Sequence, residues 1–257
     1  MLDIRPPEAG TSPMSTARDA VPYAFLSPLS RGQRGRTMQR VQEALRDAIV
    51  TLALAPGEFI DKEAVCNRLG VSRFPVSEAL GRLADEGLVE VLPQRGTRVN
   101  RIDIAACRQA SFIRRALEVE ATGAIAPRID DGFIARLASN LLEQKRAVEK
   151  ADARLFFRHD AAFHDVLLSE LGYDRVKLAV EAARGNLDRV RHLLLRTPQR
   201  QAQSYEEHVV IAEALKNRDA QAARRAMQQH LDNALADIEA RAAKNPEIFA
   251  TEAFAVL

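Results

Sequence analysis

The chain has five histidines, all beyond residue 158, and helical spacing would turn three of them inward. Asp160 and His164 stand four residues apart, so a helix puts both on one face. His208 shares a stripe with Ile211 and Leu215. His230 follows Met227 by three residues, on the stripe that includes Ala223 and Ala234. Neutral imidazoles with one carboxylate suit a divalent metal such as Zn, Ni or Mn. Coordination positions left open would let the carboxylate of an effector complete the set. The same spacing describes core histidines whose ring nitrogens are satisfied by neighbours, and taken alone it favours that plainer role.

A second group of residues suits contact with nucleic acid. Ser72-Arg73-Phe74-Pro75-Val76-Ser77 stands where a recognition helix would begin. Only the major groove distinguishes all base pairs, and helices of this kind enter it by the N-terminal end. Arg73 can donate two hydrogen bonds to a guanine edge. Ser72 and Ser77 can bond phosphate or base, and Phe74 can meet a thymine methyl. Further on, Gln94, Arg95 and Arg98 flank Gly96, a tip suited to the minor groove or backbone. Residues 31–101 carry 12 Lys and Arg against 9 Asp and Glu, whereas from Ile102 onward the counts are balanced at 23 each. The basic surplus thus sits beside these residues, although a small domain with ordinary exposed polar groups would read the same way.

Positioning these groups requires particular elements. From Thr37, a candidate cap, Met38, Val41, Leu45, Ala48, Ile49 and Leu52 recur at helical spacing up to a turn at Pro56-Gly57. A short helix over 62–69 is closed by Gly70. Ser72 caps the next, whose inward face is Val76, Ala79, Leu80 and Leu83, and Gly87 stops it. Two strands, Leu88–Leu92 and Thr97–Val99, then flank Pro93-Gln94-Arg95-Gly96 as a hairpin. Helix, helix, tight turn, helix and hairpin in this order make a winged helix-turn-helix. From Asp103 to about Ala243 helical periods run on, broken at Pro127, Gly172 and Pro198, which implies a bundle. The expected fold is therefore mainly α. It comprises a flexible basic tail (1–36), a winged helix-turn-helix with a small β-hairpin wing (37–101), an all-α helical domain (102–245) and a C-terminal tail (246–257).

Composition excludes several classes. Apolar residues make up 47% and charged ones 28%, as in a folded globular protein. No apolar run is long enough for a membrane span, and no signal-peptide pattern opens the chain. Cys66 and Cys107 lack framework or CxxC spacing and read as reduced thiols of a cytoplasmic protein. Among enzymes, the rival is a metal-dependent phosphohydrolase of the HD type, suggested by His159-Asp160. That chemistry needs a ligating histidine well upstream, and none precedes His159. HExxH, GxSxG and Gly-rich phosphate loops are missing too. A helical interaction module without metal is a third reading, but it leaves the ordered N-terminal motifs without purpose.

Five short stretches occur in order: Leu54-Ala-Pro-Gly57, Leu69-Gly-Val-Ser-Arg73, Pro75-Val-Ser-Glu-Ala-Leu80, Glu86-Gly-Leu-Val89 and Pro93-Gln-Arg-Gly96. Together they resemble the GntR family of bacterial transcription regulators. The resemblance implies that Arg73 contacts operator bases and that the hairpin is the wing. Two departures, Phe74 where the family usually has Thr and Ser77 where it has Arg, mean that operator sequence does not carry over. Asp160-Ala-Ala-Phe-His164, Ser204-Tyr-Glu-Glu-His208, Ala214-Leu-Lys-Asn-Arg-Asp219 and Met227-Gln-Gln-His230-Leu231 are similar to the helical sensor (FCD-type) domain of the FadR branch. That likeness implies one metal ion held by Asp160, His164, His208 and His230 at the floor of a pocket for a small carboxylate. An acyl-CoA ligand is not implied, and His159 and His192 match no ligand position. Arg114, in Arg114-Arg-Ala-Leu-Glu118, resembles an arginine beside the pocket, or forms an exposed helical ion pair with Glu118. Asn186 and Arg189 are further effector candidates, because a buried arginine needs an anion. The expected whole is a homodimeric regulator, commonly a repressor in this branch, reading a two-fold related operator and answering to a small organic acid.

Overall fold

A computed structural model of the chain describes residues 22–29 and 36–250, without the side chains of residues 185 and 186. The first domain contains α1 (Thr37–Val50), β1 (Phe59–Ile60), α2 (Lys62–Leu69), α3 (Arg73–Asp85), β2 (Val89–Leu92) and β3 (Gly96–Val99). Its three-stranded sheet runs β1-β3-β2, with antiparallel pairs Val91↔Thr97 and Leu92↔Gly96 setting the wing's register. β1 adds an outer strand through Phe59↔Arg98, a two-residue element too short to show in the alternation pattern. Val41, Leu45, Ile49, Leu69, Val76, Leu80, Leu83 and Val99 form one apolar core, matching the inward stripes of α1 and α3.

Helix ends follow local chemistry. The Asp61 carboxylate accepts from the N–H groups of Glu63 and Ala64 and caps α2. Gly70 closes it at φ 69, in the left-handed region where a Cβ is costly. The residues expected as caps for α1 and α3 behave otherwise. Thr37 is the first helical residue of α1 behind Arg36, and Ser72 sits at the cap position of α3 without a side-chain capping bond.

The expectation of a loose tail over residues 1–36 fails for Pro22–Leu29. Leu26 is buried in the winged-helix core. Tyr23 Oη accepts from the Asp61 N–H at 2.7 Å, and Arg68 Nε donates to the Leu26 carbonyl at 2.6 Å. An apolar Tyr-Ala-Phe-Leu segment supplies what the surrounding polar residues lack. The arginine-rich stretch 30–35 and residues 1–21 lie outside the described residues.

The second domain is a bundle of α4 (Ile104–Ile125), α5 (Asp131–Glu149), α6 (Ala153–Leu171), α7 (Asp174–Leu194), α8 (Pro198–Lys216) and α9 (Ala220–Lys244). Phe133, Phe163, Leu167, Ile211, Leu215 and Met227 centre its core. It is not wholly α. β4 (Ile102–Asp103) and β5 (Phe249–Ala250) pair in parallel, so residues assigned to a C-terminal tail pack on the joint between the domains. Ile102, Cys107, Leu187, Val190, Ile238 and Phe249 form a small core there. A two-residue strand whose partner lies over 140 residues away leaves no local signal.

Candidate metal centre and nucleic-acid interface

α6 carries Asp160 and His164 on one inward face, while α8 and α9 bring in His208 and His230, all four being buried. One ligating nitrogen from each histidine lies within 4.8 Å of the others. Asp160 Oδ1 is 3.8 Å from His208 Nε2, so the fourth expected ligand lies beside the histidine group and not within it. Phe163 stacks on His208, with centroids 4.0 Å apart, and excludes water from that side.

Each imidazole also has an outer partner at Nδ1. His208 Nδ1 lies 2.9 Å from Gln144 Oε1, and Gln144 donates its own N–H to Asn140 at 2.7 Å, which fixes the amide as an acceptor. His230 Nδ1 is 2.7 Å from Glu207 Oε2. His164 Nδ1 is 2.7 Å from Glu118 Oε2, at ion-pair distance though not aligned as a hydrogen bond. With Nδ1–H spent on Gln144 and Glu207, the Nε2 lone pairs of His208 and His230 face one another at 3.3 Å. Two lone pairs so placed repel each other unless a cation lies between them. A proton is disfavoured, because burial pushes His230 down to about 4 and His208 well below its ordinary value. His164 is likewise lowered by burial, against the pull of Glu118.

The carboxylates stay charged. Burial alone would raise Glu118, but Arg114 and His164 beside it outweigh that and hold it well below the usual carboxylate range. For Glu207, burial also pulls upward and is outweighed by the His230 bond and charge.

Arg114 sits at this cluster, its Nε donating to Glu118 Oε1 at 2.6 Å. The pair is buried, not an exposed one, and Glu118 joins it to His164. Arg189 is elsewhere: its Nη2 donates to the Asn100 carbonyl at 2.6 Å, at the joint between domains. Residues two apart on a helix point about 200° away from each other, and the face of α7 that meets the cluster is Arg184, Asp188 and Arg191. Arg189 therefore turns away from the histidine cluster, with its buried Nε and Nη1 left without a partner among the described residues. Asn186 lies on α7, and its side chain is outside the described residues.

Several residues at the site carry no spacing signal of their own. Arg191 bonds Asp160 Oδ2 and donates to Asp188 at 2.8 Å. Arg184 donates from Nη1 to Asp165 at 2.7 Å, while its buried Nε and Nη2 have no partner among the described residues. Gln144 gives nothing away in sequence. Glu118 and Glu207 were visible only as neighbours of Arg114 and His208. His192, which matches no ligand position, stacks on Phe157 with ring centroids 3.5 Å apart.

At the other end of the molecule, Arg73 and Phe74 open α3 with side chains projecting into solvent. Arg73 is 78% exposed, with only a 3.3 Å contact to Glu63, and Phe74 is 73% exposed. Ser72 and Ser77 are exposed beside them. In the wing, Gln94 and Arg95 are exposed in the turn, where Gly96 adopts φ 101. Arg98 behaves differently. It lies on β3, its Nε 2.6 Å from Glu90 on the neighbouring strand and its guanidinium over Phe59.

The sequence model for bacterial regulatory proteins of the gntR family matches residues 37–99, and the FCD domain model matches residues 109–233. An HTH-type transcriptional regulator from an unstable DNA locus of Streptomyces ambofaciens is 39% identical over 223 residues, covering 86% of this chain and 94% of that one. The chain belongs to the GntR family. The HTH-type transcriptional repressor RspR of Escherichia coli K12 is 34% identical to this GntR regulator over 218 residues, 83% of this chain and 94% of the relative. Among solved structures, a GntR-type transcriptional regulator from Rhodococcus sp. RHA1 superposes with a TM-score of 0.69 at 26% identity, covering 80% of this chain and 98% of that one. Escherichia coli McbR/YncC shares the fold with a TM-score of 0.68 at 21% identity, with the same coverage. The protein is thus a GntR-family transcriptional regulator with a C-terminal FCD domain, from a family of DNA-binding regulators and not of hydrolases. No helix among the described residues is long and apolar enough to cross a membrane.

Proposed function

We propose that this regulator is a homodimeric repressor whose FCD domain binds one divalent metal and a small carboxylate effector, and whose winged helices read a two-fold related operator. The observation that carries the metal reading is the pair of opposed Nε2 lone pairs, 3.3 Å apart on rings that burial keeps neutral. His164, His208, His230 and Asp160 would hold the ion, and Zn, Ni and Mn all accept such a donor set. When bound, the metal supplies a Lewis-acidic position for an effector carboxylate. The unpartnered N–H groups of Arg184 support an anionic effector, since buried guanidinium donors are costly when unsatisfied, and Arg114 stands at the same cluster, paired with Glu118.

On DNA, Arg73 reads a base edge, Phe74 offers an apolar contact, and Ser72 and Ser77 bond phosphate or base. Gln94, Arg95 and the Gly96 turn approach the backbone or minor groove. Arg98 shapes the wing through Glu90 and contributes less directly. Effector binding shifts operator affinity only through different affinities for the two states, a coupling of about 1–3 kcal/mol, or roughly 5- to 150-fold.

The test is fluorescence anisotropy on DNA from the regulator's own upstream region, with zinc-loaded protein and added acetate, lactate or citrate. The reading expects operator affinity to fall about fivefold or more with one of these acids, and only when zinc is present. Equal responses with and without zinc would overturn it.

A further inference from the structure

Two arginines of α7 and one from the turn that follows it reach three parts of the molecule. Arg191 reaches Asp160 and Asp188, and its guanidinium lies 5.1 Å from the centroid of Phe157. Arg189 holds the Asn100 carbonyl between the domains. Arg196 donates to the carbonyl of Thr51, the residue that caps the C-terminus of α1, at 3.1 Å. One helix with the turn after it therefore touches the candidate metal centre, the joint and the DNA-binding domain.

We propose that Arg191 is the positioning residue through which occupancy of the histidine site is felt at the face shared by the two domains. The inference rests on the metal reading above. Asp160 has two tasks: Oδ1 faces His208 Nε2 at 3.8 Å, and Oδ2 holds Arg191. A cation drawing on Oδ1 takes negative charge from Oδ2 and loosens its hold on the guanidinium. Arg191 then leans on Asp188 and on the ring of Phe157. That ring carries His192 at 3.5 Å, and both line a cavity of about 670 Å³ whose opposite wall is α1, with Ala48 and Thr51. Asp188 lines a second interdomain cavity, of about 610 Å³, facing Arg46 and Glu86 of the DNA-binding domain. Arg191 thus connects the metal carboxylate to side chains lining both cavities. Lysine could not do the same, because a point charge cannot span two carboxylates and cover an aromatic face.

The experiment is hydrogen exchange by mass spectrometry on the full chain, with and without one equivalent of zinc. It compares wild type, Arg191→Gln and Arg191→Lys, and cobalt absorption spectra show that each variant still takes up metal. Phe157→Leu cuts the same path at its second link without removing a charge, which keeps the test open if the arginine variants misfold. In wild type, metal should change exchange in the peptide covering residues 37–52 by about fivefold or more. In all three variants that change should vanish while cobalt still binds. Persistence of the full change in the variants would overturn the proposal, as would a wild type that binds zinc with no change in this peptide. A wild type that binds no metal would instead refute the proposed function itself.

Discussion

In the winged helix, Arg73 and Phe74 stand out in solvent on a core of Leu45, Leu80 and Leu83, whereas in the helical domain His164, His208 and His230 replace part of the core. The first domain needs only a rigid platform for groups that find their partner outside. The second buries its candidate ligands, so each brings a second residue with it: Gln144 for His208, Glu207 for His230, Glu118 for His164 and Arg191 for Asp160. An exposed site can change residue by residue, while a buried one is a network whose members fail together.

The largest expected effect breaks the buried side. His208→Ala should lower zinc affinity by more than the about 10- to 100-fold that loss of an outer partner costs, read by competition with a chromophoric chelator. DNA binding without effector should persist. Normal zinc stoichiometry in that variant would remove His208 from the ligand set.

Next, Leu80→Ala should cost the winged helix about 2–5 kcal/mol, because it opens a cavity in a fully buried position. Denaturant unfolding followed by circular dichroism would then separate into two transitions, with zinc retained through the first. A single transition that carries zinc away would show that the two regions are one cooperative unit.

Arg73→Ala should cost about 1–3 kcal/mol per half-site in operator discrimination and leave zinc uptake as in wild type. Unchanged selectivity would displace Arg73 from base contact.

These effects map onto what the sequence displayed. The winged helix is written locally: Gly70, the stripe of Val76, Leu80 and Leu83, and the turn at Gly96 each act within a few residues, so fold and DNA face were legible together. The inward placing of the candidate ligands was legible too, since Asp160/His164 spacing and inward stripes depend on one helix at a time. Their partners were not, because Gln144 meets His208 across 64 residues and Arg191 meets Asp160 across 31. The face of α7 was illegible for the same reason: helical period alone does not say whether Arg189 or Arg191 turns toward the histidines. Docking of residues 22–29 and the β4–β5 pair depend on contacts equally distant in the chain.

The smallest predicted effect concerns acid. Burial lowers His230 from its ordinary 6.5 to about 4, so the unfolded chain binds the proton first. Its contribution is intact above pH 6.5 and is lost as pH falls from about 6.5 toward about 4. In chelated protein, His230→Gln should flatten the fall in melting temperature over that window by several degrees, on the order expected for about 1 kcal/mol. An unaltered slope would mean that other groups dominate the acid response.

The most direct test of the central claim is metal analysis by inductively coupled plasma mass spectrometry on untagged protein purified without chelator, beside an Asp160→Ala/His164→Ala double variant. The account predicts about one divalent ion per chain in wild type and none in the variant. Wild type without metal even after incubation with zinc, nickel and manganese would contradict it and return the three histidines to the core.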